Sequence, residues 1–373
     1  MKLPPFLLER FFARHEFQAR YLLCSSDCQS MSIRELLSLE PGAREKFHDH
    51  WLGYTESTGS PLLRREIARG YAAVTAEQVL VHAGAEEAIF LFMHAVLGPG
   101  DHLVVHAPCY QSLHEVARAI GCEVTPWQAR EENGWALDPA DLPCLVRGGT
   151  KAIVINVPHN PRGYLMGEGE FRDINRFADT HGIALFSDEV YRGLEYDDTD
   201  MLPPACSLSE SAISLGVMSK TFGLAGLRIG WVATRDSAVL SRMAALKDYT
   251  TICASAPSEF LAGLALRHGE AIAARNRGII AANLALLDGF FARHADRFSW
   301  QRPKAGPIAF PRLRVGDAEA FCGSLLEGCG VLLLPGTVYG DTGNHFRIGF
   351  GRMNMPEALG RMEEYVESRP LIG

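Results

Sequence analysis

Between residues 78 and 235 short apolar runs alternate with helix-forming stretches. The runs are QVLVHAG (78–84), HLVVHAP (102–108), CEVTPW (122–127), KAIVINVP (151–158), ALFSDE (184–189), AISLGVM (212–218) and GWVATR (230–235). Stretches such as 86–97, 111–121 and 168–181 lie between them and read as helices. Most of these runs do not alternate apolar with polar residues, so both faces of each strand have to be covered. Such β-α alternation predicts an α/β three-layer sandwich, with a mostly parallel sheet between helices.

Either side of that block the pattern changes. Residues 4–20 read as an amphipathic helix with Phe6, Leu7, Phe11, Phe12 and Phe17 clustered on the wheel. Ser32 followed by Glu35 reads as a capping box for a helix starting at Ile33, and Ser60-Pro61 opens another helix. After about residue 287 come FSWQRP, a Gly306-Pro307 turn, IAFPRL, a helix at 317–329, VLLLPG and FRIGF, a small α+β pattern. The 373 residues are therefore expected to form a large α/β domain over 46–286. A small α+β domain is expected from both chain ends, 1–45 and 287–373.

Charge and cysteine usage narrow the function classes. The net charge of −8 gives no broad attraction to nucleic acid or an anionic membrane. The longest apolar run, Ala88 to Leu97, is far too short to span a bilayer and contains His94. The first apolar residues are interrupted by Glu9, Arg10, Arg14 and His15, unlike a secretory leader. Nine scattered cysteines form no CxxC pair, which reads as reduced thiols in a cytoplasmic protein. His48-Asp49-His50 reads as solvated helix surface, and no metal site is expected. Lysine is scarce: six in all, against 30 arginines.

One of the six stands apart. In SKTFGLAGLRIGW (219–231) Lys220 follows an apolar strand and enters a glycine-rich loop, with Arg228 eight residues on. A lysine at the carboxyl end of a parallel strand points into the crevice where α/β sheets bind ligands. Its amine can form a Schiff base with a carbonyl, and an arginine fork suits a phosphate. The glycine spacing does not fit a dinucleotide fingerprint. FSDEVY (186–191) ends a strand with Asp188 and Tyr191; a buried carboxylate there needs a cationic partner, such as a protonated pyridine. HNPRG (159–163) places the Asn160 amide at a strand end, and APCY (107–110) does the same for the Tyr110 ring. HAGAEE (82–87) puts a glycine at a strand–helix junction, where backbone N–H groups can hold an anion. FRIGF (346–350) sets Arg347 on an apolar strand, where it needs a carboxylate from the protein or from a substrate. Lysine, aspartate, asparagine, tyrosine, a phosphate-holding turn and two arginines are together what pyridoxal phosphate requires.

These motifs, in this order, resemble the class I/II aminotransferases, the fold type I pyridoxal-phosphate enzymes. The resemblance runs over roughly residues 50–365 and includes YTESTGSPLLRREIA (54–68). It implies that Lys220 carries the cofactor and, once freed, shuttles the Cα proton. Asp188 would keep the ring nitrogen protonated. Asn160 and Tyr191 would bond the ring oxygen, and Tyr110 would stack on the ring. The backbone amides of Ala85 and Glu86, with Ser219 and Arg228, would hold the phosphate. Tyr54 would reach the phosphate of a second subunit, so a homodimer is implied. Arg347 would pair bidentately with the substrate α-carboxylate. The family also commonly has cis peptides before prolines placed like Pro108 and Pro161.

Three departures from the family pattern stand out. Val217 replaces a hydroxyl residue expected near the phosphate, and Arg162 replaces the threonine of NPTG. LLCSSDCQS (22–30) replaces a glycine-rich segment that normally lies over the substrate, which makes Ser25, Ser26 and Asp27 candidate substrate contacts. Transamination between an L-amino acid and a 2-oxo acid is the leading expectation. The alternative is elimination or cyclisation of a hydroxylated, arginine-like amino acid, since the serine-rich segment resembles that of capreomycidine-synthase-like enzymes. A non-catalytic cofactor-binding module is opposed by the intact lysine and arginine.

Overall fold

The structure, a computed structural model, describes residues 2–341 and 343–369. Its centre is a seven-stranded sheet. The strands are β1 (Val79–His82), β2 (His102–Ala107), β3 (Glu123–Gln128), β4 (Thr150–Asn156), β5 (Ala184–Asp188), β6 (Ala212–Val217) and β7 (Gly230–Thr234). Their spatial order is β1-β7-β6-β5-β4-β2-β3. All seven fall where the apolar runs of the sequence place them. Ile153, Val154, Leu185, Phe186, Ile213, Leu215 and Val232 are fully buried, as a sheet covered on both faces requires. Apolar clusters lie on either side. One is built on Phe92, Leu113 and Phe290, another on Phe171, Ile174 and Trp127.

The sheet is mixed at one point, and that point builds the site. β2, β3, β4, β5 and β6 pair in parallel, whereas β7 runs antiparallel to both β6 and β1. A parallel return would need a crossover of a dozen or more residues, usually a helix. The 218–229 connection instead folds back as a wide hairpin, closed by Met218 N–H donating to the Ile229 carbonyl at 3.0 Å. The hairpin returns Arg228 to the level of Ser219 and Lys220, at the edge where β4, β5 and β6 end.

The flanking residues form small sheets. Tyr21–Leu22 pairs in parallel with Val331–Leu332, tying the first part of the chain to the last. Phe346–Gly349 is flanked antiparallel by Ile308–Ala309 and Leu334–Pro335. Helices Ala318–Cys329 and Met355–Ser368 pack on these strands. The long helix Gly269–Arg293 runs through residue 287, where the sequence suggests a domain boundary. The first amphipathic segment is helical over Leu7–His15 only. The capping box forms as read, with Ser32 accepting from Glu35 N–H and Glu35 accepting from Ser32 N–H. Ala107-Pro108 and Asn160-Pro161 are cis, as is Val157-Pro158. Among the described residues no helix is long and apolar enough to cross a membrane.

Candidate active site

The carboxyl ends of β4, β5 and β6 open into a cavity of about 420 Å³. Of the residues that the sequence singles out, Ala85, Glu86, Tyr110, Asn160, Asp188, Tyr191, Ser219, Lys220, Arg228 and Arg347 line it, as do Ser25, Ser26 and Asp27. Tyr54 does not; its side chain is 89% exposed.

Lys220 faces the cavity, and its amine donates to Ser26 Oγ at 2.8 Å. Burial lowers its pKa, with Asp27 partly opposing the shift. The amine is thus biased toward the neutral form that acts as nucleophile or base. Asp188 closes β5 beside Asn156 of β4, which donates its amide to the Asp188 carbonyl at 2.9 Å. The Asp188 carboxylate is buried and accepts from Val190 N–H at 3.3 Å, but has no ion-pair partner among the described residues. Desolvation raises its pKa to about 7. Tyr191 is almost fully buried and its hydroxyl finds no hydrogen-bond partner among the described residues.

The phosphate-holding turn is built by close backbone approach. Gly84 lies at φ +88°, in the region that favours glycine, and caps helix Ala85–Val96. Gly230, paired with His82, approaches so closely that a Cβ there would lie 2.7 Å from the Gly84 carbonyl carbon and 2.9 Å from Ala85 N. A Cβ on Gly84 would meet the Arg228 guanidinium at 2.6 Å. Helix N-terminus and arginine fork therefore converge on one spot, a ready anion site. Val217 lines the same wall with methyl groups in place of a hydroxyl.

Arg347 is 1% exposed, and no protein carboxylate pairs with it among the described residues. Its Nε and Nη2 donate to the Cys24 carbonyl at 3.1 and 2.8 Å, and Nη1 donates to Asn160 Oδ1 and Tyr339 Oη at 3.2 and 2.5 Å. These bonds orient the fork but leave its charge without a counter-ion. They engage four of its five N–H groups, so a bidentate clasp would require one of them to be released. Asn160 accepts at its oxygen from Arg347 and Tyr339, which leaves its amide N–H groups as donors.

Sequence reading missed several wall residues. Leu8, Glu9, Phe12 and Glu16 come from the first helix and its flank, and Arg352 follows the Arg347 strand. Tyr339 lies in the turn Gly336–Tyr339 and bonds both Arg347 and Asn160. Their local sequence carries no signal, because tertiary pairing alone brings them here. Arg162, by contrast, is buried away from the cavity. Its guanidinium lies 3.7 Å from the Trp135 ring centroid, and burial lowers its pKa to about 9. The change from the NPTG pattern is thus absorbed by a cation–π contact.

The chain matches the model of the family "Aminotransferase class I and II" over residues 22–361. The chain belongs to the class I and II aminotransferases. Members of this family use pyridoxal phosphate, and the site fits that group. A buried carboxylate lacks a cation, a buried tyrosine hydroxyl lacks a partner, and two glycines clear space around an anion cradle beside a lysine. Capreomycidine synthase of Streptomyces vinaceus is 32% identical over 359 residues, 93% of this chain and 90% of that protein. A PLP-dependent aminotransferase from Streptococcus suis superposes with a TM-score of 0.92 at 33% identity, covering 99% of both chains. The PLP-dependent cyclase OrfR superposes with a TM-score of 0.90 at 31% identity, again over 99% of both.

Proposed function

We propose that this aminotransferase-family chain moves the amino group of an L-amino acid to a 2-oxo acid, with Lys220 as its catalytic base and Arg347 as the anchor for the substrate carboxylate. One observation carries the reading. A buried arginine without a protein counter-ion and a lysine of lowered pKa face one cavity. That pair can hold an α-amino acid by its carboxylate while a base addresses its Cα.

The roles of the other residues follow from position. The Ala85 and Glu86 amides, Ser219 and Arg228 hold the cofactor phosphate. Asp188 holds a proton at the ring nitrogen, where its need for a cation is met. Asn160 and Tyr191 donate to the ring oxygen, and Tyr110 covers a ring face. The bound cofactor supplies an electron sink that makes the Cα proton acidic. Lys220 would take that proton at Nζ, its amine positioned by the 2.8 Å bond it donates to Ser26 Oγ.

We further propose a homodimer in which Tyr54 serves the neighbouring subunit's phosphate. The exposure of Trp51, Leu52 and Tyr54 supports this, since large apolar side chains grouped in chain order invite a partner surface. The large and small domains are proposed as 46–286 and as 1–45 with 287–373, the small one closing over substrate. A cytoplasmic location is supported by nine cysteines, all unpaired.

A second reading is elimination or cyclisation of a hydroxylated, arginine-like substrate. It is supported by the likeness to capreomycidine synthase and OrfR, and by the position of Ser25–Asp27 on the cavity wall. Both readings begin with Lys220 taking the Cα proton. Incubation with a panel of amino acids and 2-oxoglutarate separates them. Accumulation of the acceptor's amino acid supports transamination. Loss of a β-hydroxyl with no amine transfer from any donor overturns it in favour of the second reading.

A further inference from the structure

The cavity wall carries more negative charge than the proposed chemistry uses. Its carboxylates are Glu9, Glu16, Asp27, Glu86 and Asp188, and its cations are Lys220, Arg228, Arg347 and Arg352. Each cation has an assignment. Lys220 is the base, Arg228 meets a phosphate and Arg347 meets the substrate α-carboxylate. Arg352 is locked onto Asp27, with Nε donating to Oδ1 at 2.9 Å and Nη2 to Oδ2 at 2.8 Å. Asp188 is used by the ring nitrogen. Glu9, Glu16 and Glu86 remain, and no cationic side chain is within ion-pair distance of any of the three among the described residues.

Their placement matters as much as their number. Leu8, Glu9, Phe12 and Glu16 present one side of the first helix and its carboxyl flank to the cavity, and the Phe12 ring lies 5.9 Å from the Arg347 guanidinium carbon. Among the described residues Glu9 receives only the Tyr110 hydroxyl, at 3.4 Å, and Glu86 the Ser112 hydroxyl, at 3.1 Å. The cavity is otherwise built for a ligand, as the unpartnered, almost fully buried Tyr191 hydroxyl on its wall shows. Desolvation raises the pKa of Glu16; Arg352 and Arg347 partly oppose that shift and the Asp27 and Glu9 carboxylates add to it, so no neighbouring cation fully offsets its burial.

We infer that Glu9 and Glu16 select a substrate whose side chain is cationic, a guanidinium or an ammonium, and that the Asp27–Arg352 pair withholds the arginine a dicarboxylic substrate would need. This rests on the assignment of Lys220, Arg347 and Asp188 above, and it holds whether amine transfer or cyclisation follows. An amino acid anchored at Arg347 meets the helix carboxylates with the far end of its side chain, where opposite charges form the stronger class of hydrogen bond. A carboxylate there meets like charge and no free cation, so rejection accompanies attraction.

Equilibrium binding tests this directly. Dissociation constants of L-arginine, L-lysine, L-norleucine and L-glutamate are measured on the cofactor-loaded protein by calorimetry and by the change in cofactor absorbance. The expected order is arginine and lysine tightest, norleucine about tenfold weaker, and glutamate weakest. Glu16→Gln and Glu9→Gln each shrink the arginine-to-norleucine ratio, and Asp27→Asn, which frees Arg352, improves glutamate binding by about tenfold. An unchanged cofactor band in each variant confirms its fold. Glutamate binding more tightly than arginine, or an arginine preference untouched in both glutamate variants, overturns the inference while the Lys220 assignment stands. No absorbance change with any amino acid overturns that assignment and this inference together.

Discussion

At the scale of single residues the site is a set of unmet needs. Asp188 is a buried acid with no cation, Tyr191 a buried hydroxyl with no partner, and Arg347 a buried cation with no anion. Lys220→Ala is expected to lower Cα-proton exchange by roughly 10²–10⁴-fold and to abolish the visible cofactor band, checked by deuterium wash-in and absorbance. Asp188 carries a pH signature in the cofactor-free protein. Its folded pKa of about 7 lies above the ordinary carboxylate value, so the folded state binds the extra proton. Its contribution to stability is intact below about pH 4 and is lost as pH rises toward 7. Asp188→Asn should therefore raise the melting temperature of the cofactor-free protein at pH 8 and change it little at pH 4. Melting curves at both values check this; a mutant less stable at pH 8 contradicts it. These residues were legible because each is a polar group at a strand end in an otherwise apolar stretch. Tyr339 was not, since nothing local marks a turn tyrosine that serves an arginine eight residues away.

At the scale of elements, the site depends on the hairpin between β6 and β7. The apolar runs predicted all seven strands. They could not predict that β7 returns antiparallel, because strand direction depends on the path of the connection rather than on the strand's own pattern. That reversal brings Arg228 beside the N-terminus of helix Ala85–Val96, with Gly230 as the point of contact. Gly230→Ala would drive a Cβ into the Gly84 and Ala85 backbone. Its expected effect is a cofactor affinity at least about tenfold lower, from lost charge-assisted bonds to the phosphate, read by fluorescence titration. The segment 22–30 was legible only as a departure from the family pattern that made Ser25, Ser26 and Asp27 candidate contacts; what holds it in place was not. It is threaded over the cavity by backbone bonds, with Gly349 N–H donating to the Leu23 carbonyl and Gln29 N–H to the Gly351 carbonyl. A Cβ on Gly349 would lie 2.0 Å from the Ser25 carbonyl oxygen. Gly349→Ala should therefore displace Ser25 and Ser26, raising KM more than it destabilises the fold, which steady-state kinetics and melting curves together resolve.

At the scale of the whole molecule, the two chain ends meet in one small sheet and the first helix becomes a wall of the cavity. The proposed substrate-selecting residues thus lie on the first helix and its flank, apart from the strand ends and the hairpin that form the proposed cofactor cradle. The proposed dimer makes its own prediction. Trp51→Glu with Leu52→Glu should reduce the solution mass from twice that of the chain to that of one chain by light scattering, and should weaken cofactor binding through loss of the partner's Tyr54. The central claim is that Lys220, and no other of the six lysines, carries the cofactor. Lys247, the one lysine fully buried among the described residues, spends its amine on the Ser57 and Ile252 carbonyls. The most direct measurement is borohydride reduction of the loaded protein followed by peptide mass spectrometry. The account predicts the cofactor fixed on the peptide containing Lys220; a label on any other lysine, or on none, contradicts it.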